Sequence, residues 1–398
     1  MTRDMPGQLS GGMMQRLEGV TMIGVKKNFW RPAFLTGVLA LFLCCSFFGT
    51  TALAQGVKDM PPPPPVWKAK PTPTPKPPEQ EVLDVVKVTS NLVMVPVSVT
   101  DAQGNPVQGL TKPDFRLIEE GKNQEITDLG NPEQVPLAIA LLFDVSSSVS
   151  SKGFFASQQT AAATFLRLVM KPADKAAIFT ITGEPTLVQP LASEETSAAK
   201  MLMIPAATTP VPTAFYDTVI AAAKYLEANA PSNYRRVIVV LSDGDDNFSS
   251  QIRDLSLAQY RAESNAQPTP ATLLARAQQA HRQAVGQVQQ AVQKADAIFY
   301  SVNPGGPSVK LNQISMRAEN SMEAIAETTG GTAFVPESDK DLERVFRQVA
   351  AELRGQYLLQ YYGNSDAPPG QFRRIQVTVP SRADAKVRAR QGYYPKPK

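Results

Sequence analysis

Asp144, Ser146 and Ser148 stand in the segment Asp144-Val145-Ser146-Ser147-Ser148, directly behind the apolar run Leu137 to Phe143. One carboxylate and two hydroxyls at the point where a buried strand gives way to a helix form a pocket of hard oxygen donors. Hard divalent cations choose such donors, and open α/β sheets hold ligands in the crevice beyond the carboxyl ends of their strands. Two further loops occupy equivalent positions. Thr213 precedes the helical pattern Ala214 to Ala228, and Asp243 sits in Ser242-Asp243-Gly244-Asp245-Asp246 behind the run Val237 to Leu241. Mg2+ or Mn2+ needs near-octahedral oxygen ligation and keeps some waters, so these five side chains could hold the ion and leave one position open. Any one of the loops alone would be read as a helix cap or a tight turn. Together, in the expected order along the chain, they predict a metal site. Asp217 either orients Thr213 or meets the positive end of its own helix, and Asp245 and Asp246 read as solvated loop charges.

The elements that must position these residues alternate in type. Strand-like runs at Ala138 to Phe143, Ala176 to Ile181, Val237 to Leu241, Ala297 to Val302 and Thr332 to Val335 are separated by helical patterns near 153–170, 214–229, 271–295 and 321–329. That alternation predicts a mainly parallel sheet with helices on both faces. Leu187 to Leu191 contains Pro190 and therefore reads as an edge strand. Short alternating strands flank this region, at Val93 to Val99 and Phe115 to Glu119 on one side. On the other, beyond the helix Asp339 to Leu353, they fall at 356–362, 372–379 and 387–393. Neither flank has enough strands to close a core, so the two are expected to pair into one β-sandwich-like module.

The rest of the chain sets limits. With 398 residues and 43% apolar content it can hold more than one buried core. Most of the formal charge of +4 comes from Arg3, Arg16, Lys26, Lys27 and Arg31, opposed there only by Asp4 and Glu18, so the remainder is nearly balanced and no nucleic-acid partner is expected. Cys44 and Cys45 both lie in the apolar stretch Ala33 to Phe48, which rules out a disulfide or a cysteine-based zinc site elsewhere. Lys26, Lys27 and Arg31 ahead of that stretch, with Ala52-Leu53-Ala54 behind it, read as an export signal cleaved before Gln55. An uncleaved anchor held at an interface by Trp30 is the alternative. The expected location is thus periplasmic or secreted, with membrane anchoring only through this N-terminal segment. Residues Pro61 to Pro78 form a proline-rich tract, a semi-rigid polyproline II spacer on the order of 50 Å long.

Asp144-x-Ser146-x-Ser148, Thr213 and the Asp243-Gly244 pair resemble the metal-ion-dependent adhesion site (MIDAS) of von Willebrand factor A (VWA) domains. Beyond that site the chain resembles a bacterial, typically acidobacterial, VWFA-related family. The matching phrases are Val107 to Phe115, Thr213-Ala214-Phe215-Tyr216-Asp217, Gly330-Gly331-Thr332-Ala333-Phe334, Leu353-Arg354-Gly355-Gln356-Tyr357 and Arg388 to Tyr393. Val211-Pro212 stands where the family often carries Gly-Gly, and Phe248 to Lys294 is longer than the usual connection. Its part Thr272 to Lys294 reads as an added helix with His281 exposed among polar neighbours.

The resemblance implies an α/β fold: a Rossmann-like VWA domain with a mainly parallel central sheet flanked by helices, plus a β-sandwich-like module from the N- and C-terminal segments. The implied organisation is an extension and signal over 1–54, a linker over 55–81 and an N-terminal β segment over 82–132. The VWA domain follows over 133–352, with a helical insert near 248–295, and a C-terminal β segment closes the chain over 353–398. It also implies Mg2+, with Mn2+ or Ca2+ as substitutes, held by Asp144, Ser146, Ser148, Thr213 and Asp243, and a protein partner that presents an Asp or Glu carboxylate to the ion. The expected role is adhesion or scaffolding rather than catalysis. A metal-independent structural role in the envelope is the first alternative. A serine hydrolase is the second, weakened because His281 is the only histidine and no GxSxG elbow surrounds Ser146 or Ser148.

Overall fold

The computed structural model describes residues 92–146, 155–250, 252–253, 269–307, 313–363, 368 and 370–395. The export signal, the proline-rich tract and Ser148 lie outside them. Among the described residues no helix is long and apolar enough to cross a membrane.

Six strands build the central sheet: β5 (Leu137–Asp144), β6 (Lys175–Ile181), β7 (Thr186–Ala192), β8 (Arg235–Leu241), β9 (Ala297–Val302) and β10 (Ala333–Phe334), in the order β10-β9-β8-β5-β6-β7. All neighbours run parallel except β7, which pairs antiparallel with β6 at the edge. The proline in β7 is tolerated there because an edge strand can spare a ladder donor. β5 and β8 are buried at every position, as the unbroken apolar runs require of strands covered on both faces.

Helices α1 (Phe155–Val169), α2 (Glu194–Leu202) and α6 (Leu342–Arg354) contribute to the core on one face, where Phe165 and Phe346 stack at 5.1 Å. Helices α3 (Phe215–Asn229), α4 (Pro270–Lys294) and α5 (Gln313–Thr329) cover the other. The second half of α4 buries Ala284, Val288 and Val292 and forms the crossover between β8 and β9, while its first turns are exposed. α2 was not foreseen from the sequence, although Ser193 ahead of Glu194 and Glu195 is a helix-start signal.

The two flanks pair as expected. β1 (Leu92–Thr100) lies between β11 (Tyr357–Tyr362) and β13 (Lys386–Ala389), and β4 (Asp128–Gly130) extends the sheet beyond β11. The facing sheet runs β14 (Gly392–Tyr393), β12 (Arg373–Thr378), β2 (Arg116–Glu119), β3 (Lys122–Gln124). Val95, Val97, Leu117, Leu359 and Ile375 share the core between them. The segment 387–393, expected as one strand, divides between the sheets at Arg390 and Gln391, where Gln391 N–H bonds the Thr328 carbonyl and its own carbonyl accepts from Ile375 N–H. Gly392 makes the crossing possible, since a Cβ there would lie 2.3 Å from the Arg373 carbonyl oxygen.

Polar groups join the sandwich to the α/β layer. Arg235 donates to the Leu353 carbonyl and to Gln356 Oε1, each at 3.0 Å, and Gln356 Nε2 donates to Ser98 Oγ at 3.2 Å. Arg388 of β13 pairs with buried Glu352 of α6 at 2.8 Å.

Candidate metal centre

Asp144 is the last residue of β5, in register with Ile181 of β6, and Phe143 before it pairs with Leu241 of β8. The loops that follow β5, β6 and β8 therefore leave the sheet side by side at its carboxyl edge. Phe143 meets Phe155 edge-on at 5.3 Å, which fixes the start of α1 behind this edge.

Asp144 is fully buried. Its Oδ1 accepts from Ser146 N–H at 2.8 Å and its Oδ2 accepts from the Ser242 hydroxyl at 2.5 Å. Ser242 Oγ in turn accepts from Gly244 N–H at 2.9 Å, which holds the turn of the Asp243 loop against Asp144. Gly244 has φ of 73°, and a side chain there would strike Met322, so both the backbone shape and the packing demand glycine. Burial, then the negative charge of nearby Asp243, push the Asp144 carboxyl up to about 6, against opposing hydrogen bonds from Ser146 and Ser242. Ser242 was not singled out from the sequence; its place at the end of β8, just before Asp243-Gly244, was the available signal.

Thr213 is buried and stitched to the same loop. Its N–H donates to Asn247 Oδ1 at 2.9 Å and its carbonyl accepts from the N–H groups of Asn247 and Phe248. The next residue, Ala214, donates its N–H to the Thr182 carbonyl after β6 at 2.8 Å. Asp144, Ser146, Thr213 and Asp243 thus sit in loops bound to one another at one edge of the sheet, and Ser148 lies outside the described residues.

Three expectations about neighbouring residues need correction. Asp246 is buried rather than solvated. Its Oδ2 accepts from Tyr216 N–H in the first turn of α3 and from the Ser249 hydroxyl, and its Oδ1 accepts from the N–H groups of Phe248 and Ser249. A loop carboxylate that satisfies helix-start donors in this way is a structural tie, and burial raises its pKa. Asp245 is half-buried, raised by burial and by Asp243. His281 is also buried. The polar character of its helix hid the fact that its ring packs on Tyr216, whose hydroxyl lies 3.2 Å from Nδ1, and burial lowers its pKa to about 4. Asp217, for its part, accepts from Ser250 N–H at 2.8 Å and from the Ser250 hydroxyl at 3.0 Å, which ties α3 to the loop after β8.

Asp246→Ala is expected to cost about 2 kcal/mol, because it strands several buried donors at once. A urea titration of the metal-free chain reads this directly, and an unchanged midpoint would contradict the tie.

The donors fit a hard divalent ion. Asp144 lies close to the negative charge of Asp243, and no ion pair to Asp144 occurs among the described residues. Among the described residues no three His, Cys, Asp or Glu side chains converge as ligands, so hydroxyls must complete any shell here.

No protein-family profile and no curated protein matches this chain. Among solved structures, proximal thread matrix protein 1 from the mussel byssus is 14% identical over 63% of this chain and 51% of its own, with a TM-score of 0.38. A structure of that protein with a zinc-occupied MIDAS motif gives 15% identity over 58% of this chain and 49% of its own, at 0.37. A von Willebrand factor type A protein from Catenulispora acidiphila is 12% identical over 77% of this chain and 75% of its own, at 0.40. The chain spans about half the length of the byssus protein.

Proposed function

We propose that this chain is an exported, metal-dependent protein-binding module, used in adhesion or scaffolding, in which Asp144, Ser146, Ser148, Thr213 and Asp243 hold a divalent cation. The observation that carries this reading is a fully buried carboxylate at the carboxyl edge of a parallel sheet, its pKa raised by burial and then by the like charge of Asp243, with no ion pair to it among the described residues. Such an arrangement is costly in the metal-free chain and relieved by a bound ion.

Asp144 supplies the buried charge. Ser146 and Ser242 already orient its two oxygens through hydrogen bonds, and the Ser242–Gly244 contact fixes the loop that carries Asp243. Thr213, anchored through Asn247, contributes a hydroxyl from the third loop. When bound, Mg2+ would offer an open coordination point to an Asp or Glu carboxylate of a partner, with Mn2+ or Ca2+ as substitutes. Binding is favoured over hydrolysis because His281, the only histidine, is buried against Tyr216, and burial lowers its pKa to about 4, which leaves it a weak general base.

The test is calorimetric titration of the full chain with Mg2+ and Mn2+, followed by capture of envelope proteins with Mg2+ and then with EDTA. Ser242→Ala, which leaves every proposed ligand in place, is expected to weaken metal binding by roughly tenfold through loss of ligand orientation. Metal binding absent from the wild-type chain, or capture indifferent to EDTA, would favour a metal-independent structural role instead.

A further inference from the structure

We propose that the open cleft between α4 and the sheet β14-β12-β2-β3 binds a chain of neutral sugars. The cleft has a volume of about 1180 Å³. One wall is a ladder of side-chain amides: Gln283, Gln287 and Gln290 recur along one face of α4 and are exposed. Gln376 and Gln391 add amides from the opposite side, and Phe372 and Tyr394, 5.2 Å apart, place aromatic surface beside them.

The chemistry of this lining selects its ligand. An amide offers two donors and an acceptor, a sugar hydroxyl offers one donor and two acceptors, and a row of the first can pair with a row of the second. Aromatic rings accept the apolar C–H face of a pyranose in the same manner as other flat apolar surfaces. Of the charged side chains at the cleft, Glu120 and Arg374 are of opposite sign and Lys294 lies 5.5 Å from the centre of the Tyr394 ring, so the one excess positive charge gives little attraction for a polyanion.

Gly286 supplies an independent reason to expect a ligand. It lies inside a 25-residue helix, on the cleft wall, and a Cβ added there would meet nothing within 4 Å. Glycine in a helix interior costs about 1 kcal/mol against alanine, and no packing neighbour requires it here. Its effect is to deepen the cleft. An extended peptide is a poorer fit, because the cleft lies over β2 and β12, the inner strands of this sheet, and strand addition is open only to the outer strands β3 and β14.

The full chain is titrated calorimetrically with cellohexaose, maltohexaose and chitohexaose in EDTA, so that the outcome is independent of the metal reading. At least one of the three is expected to bind. Gly286→Leu should fill the cleft, weakening that binding by about tenfold or more while raising the thermal midpoint through better helix propensity. Gln287→Ala combined with Gln290→Ala should weaken binding by about tenfold with the midpoint unchanged. Failure of all three sugars at about 10 mM, binding that survives both variants, or a glutamine-rich peptide bound in their place would overturn the assignment.

Discussion

Asp144→Asn is expected to abolish divalent-metal binding and, in the same protein, to raise the stability of the metal-free chain at pH 7.5. The two effects have opposite signs because they come from one charge. In the folded chain burial and Asp243 lift the Asp144 carboxyl from 3.8 to about 6. A raised carboxyl means that the folded state binds the proton more tightly than the unfolded state, so stability is lost as pH rises from about 4 through 6 and the loss is complete above it. Two units correspond to about 3 kcal/mol, and the group is wholly buried, so solvent screening does not reduce that figure. Asparagine keeps the shape and an acceptor for Ser146 N–H, while the Ser242 hydroxyl can turn to accept from the new amide. The metal-free variant should therefore melt about 5 °C higher at pH 7.5 and show no advantage near pH 4. With saturating Mg2+ the order reverses, since only the carboxylate form gains from the ion. Scanning calorimetry across this pH range, with and without Mg2+, checks both halves. A destabilised metal-free variant at pH 7.5 would mean that Asp144 is a structural acceptor rather than a metal ligand, and Mg2+ binding equal to wild type would remove the site altogether.

Much of this geometry was legible because it is local. Unbroken apolar runs such as Leu137 to Phe143 state that a strand is covered on both faces, and a polar residue immediately behind such a run must lie at the sheet edge. Pro190 marked an edge strand in the same way. What escaped reading depends on partners far along the chain. The polarity of Asp246 and His281 suggested solvent, yet each is buried by α3: one through Tyr216 N–H, the other through the Tyr216 hydroxyl. The break of 387–393 into two strands needs the approach of the Thr328 carbonyl, which no local pattern announces. The three-residue strands β3 and β4 are set by their neighbours, with too few residues for a period of two to show.

Arg388→Leu is expected to destabilise the chain by about 3 to 5 kcal/mol, with a defect that shrinks as pH falls. Glu352 of α6 is buried, and burial raises its carboxyl against the stabilising charge of Arg388. The pair joins the helix layer to strand β13 of the sandwich, whose register with β1 places Arg388 opposite Ser98. Removing the guanidinium leaves a carboxylate buried at the seam with the Thr332 hydroxyl, at 3.4 Å, and the weaker attraction of Lys386. A carboxylate so stranded binds a proton more tightly in the folded state, so its cost is greatest above the raised pKa and fades as acid neutralises it. Glu352→Gln in the Arg388→Leu background removes the buried charge and should recover most of the loss at neutral pH. Urea titrations of the single and double variants at pH 7.5 and near pH 5 separate this from lost packing of the arginine stem. A deficit independent of pH and unrelieved by Glu352→Gln would show that the seam is held by apolar contact, with the ion pair incidental to it.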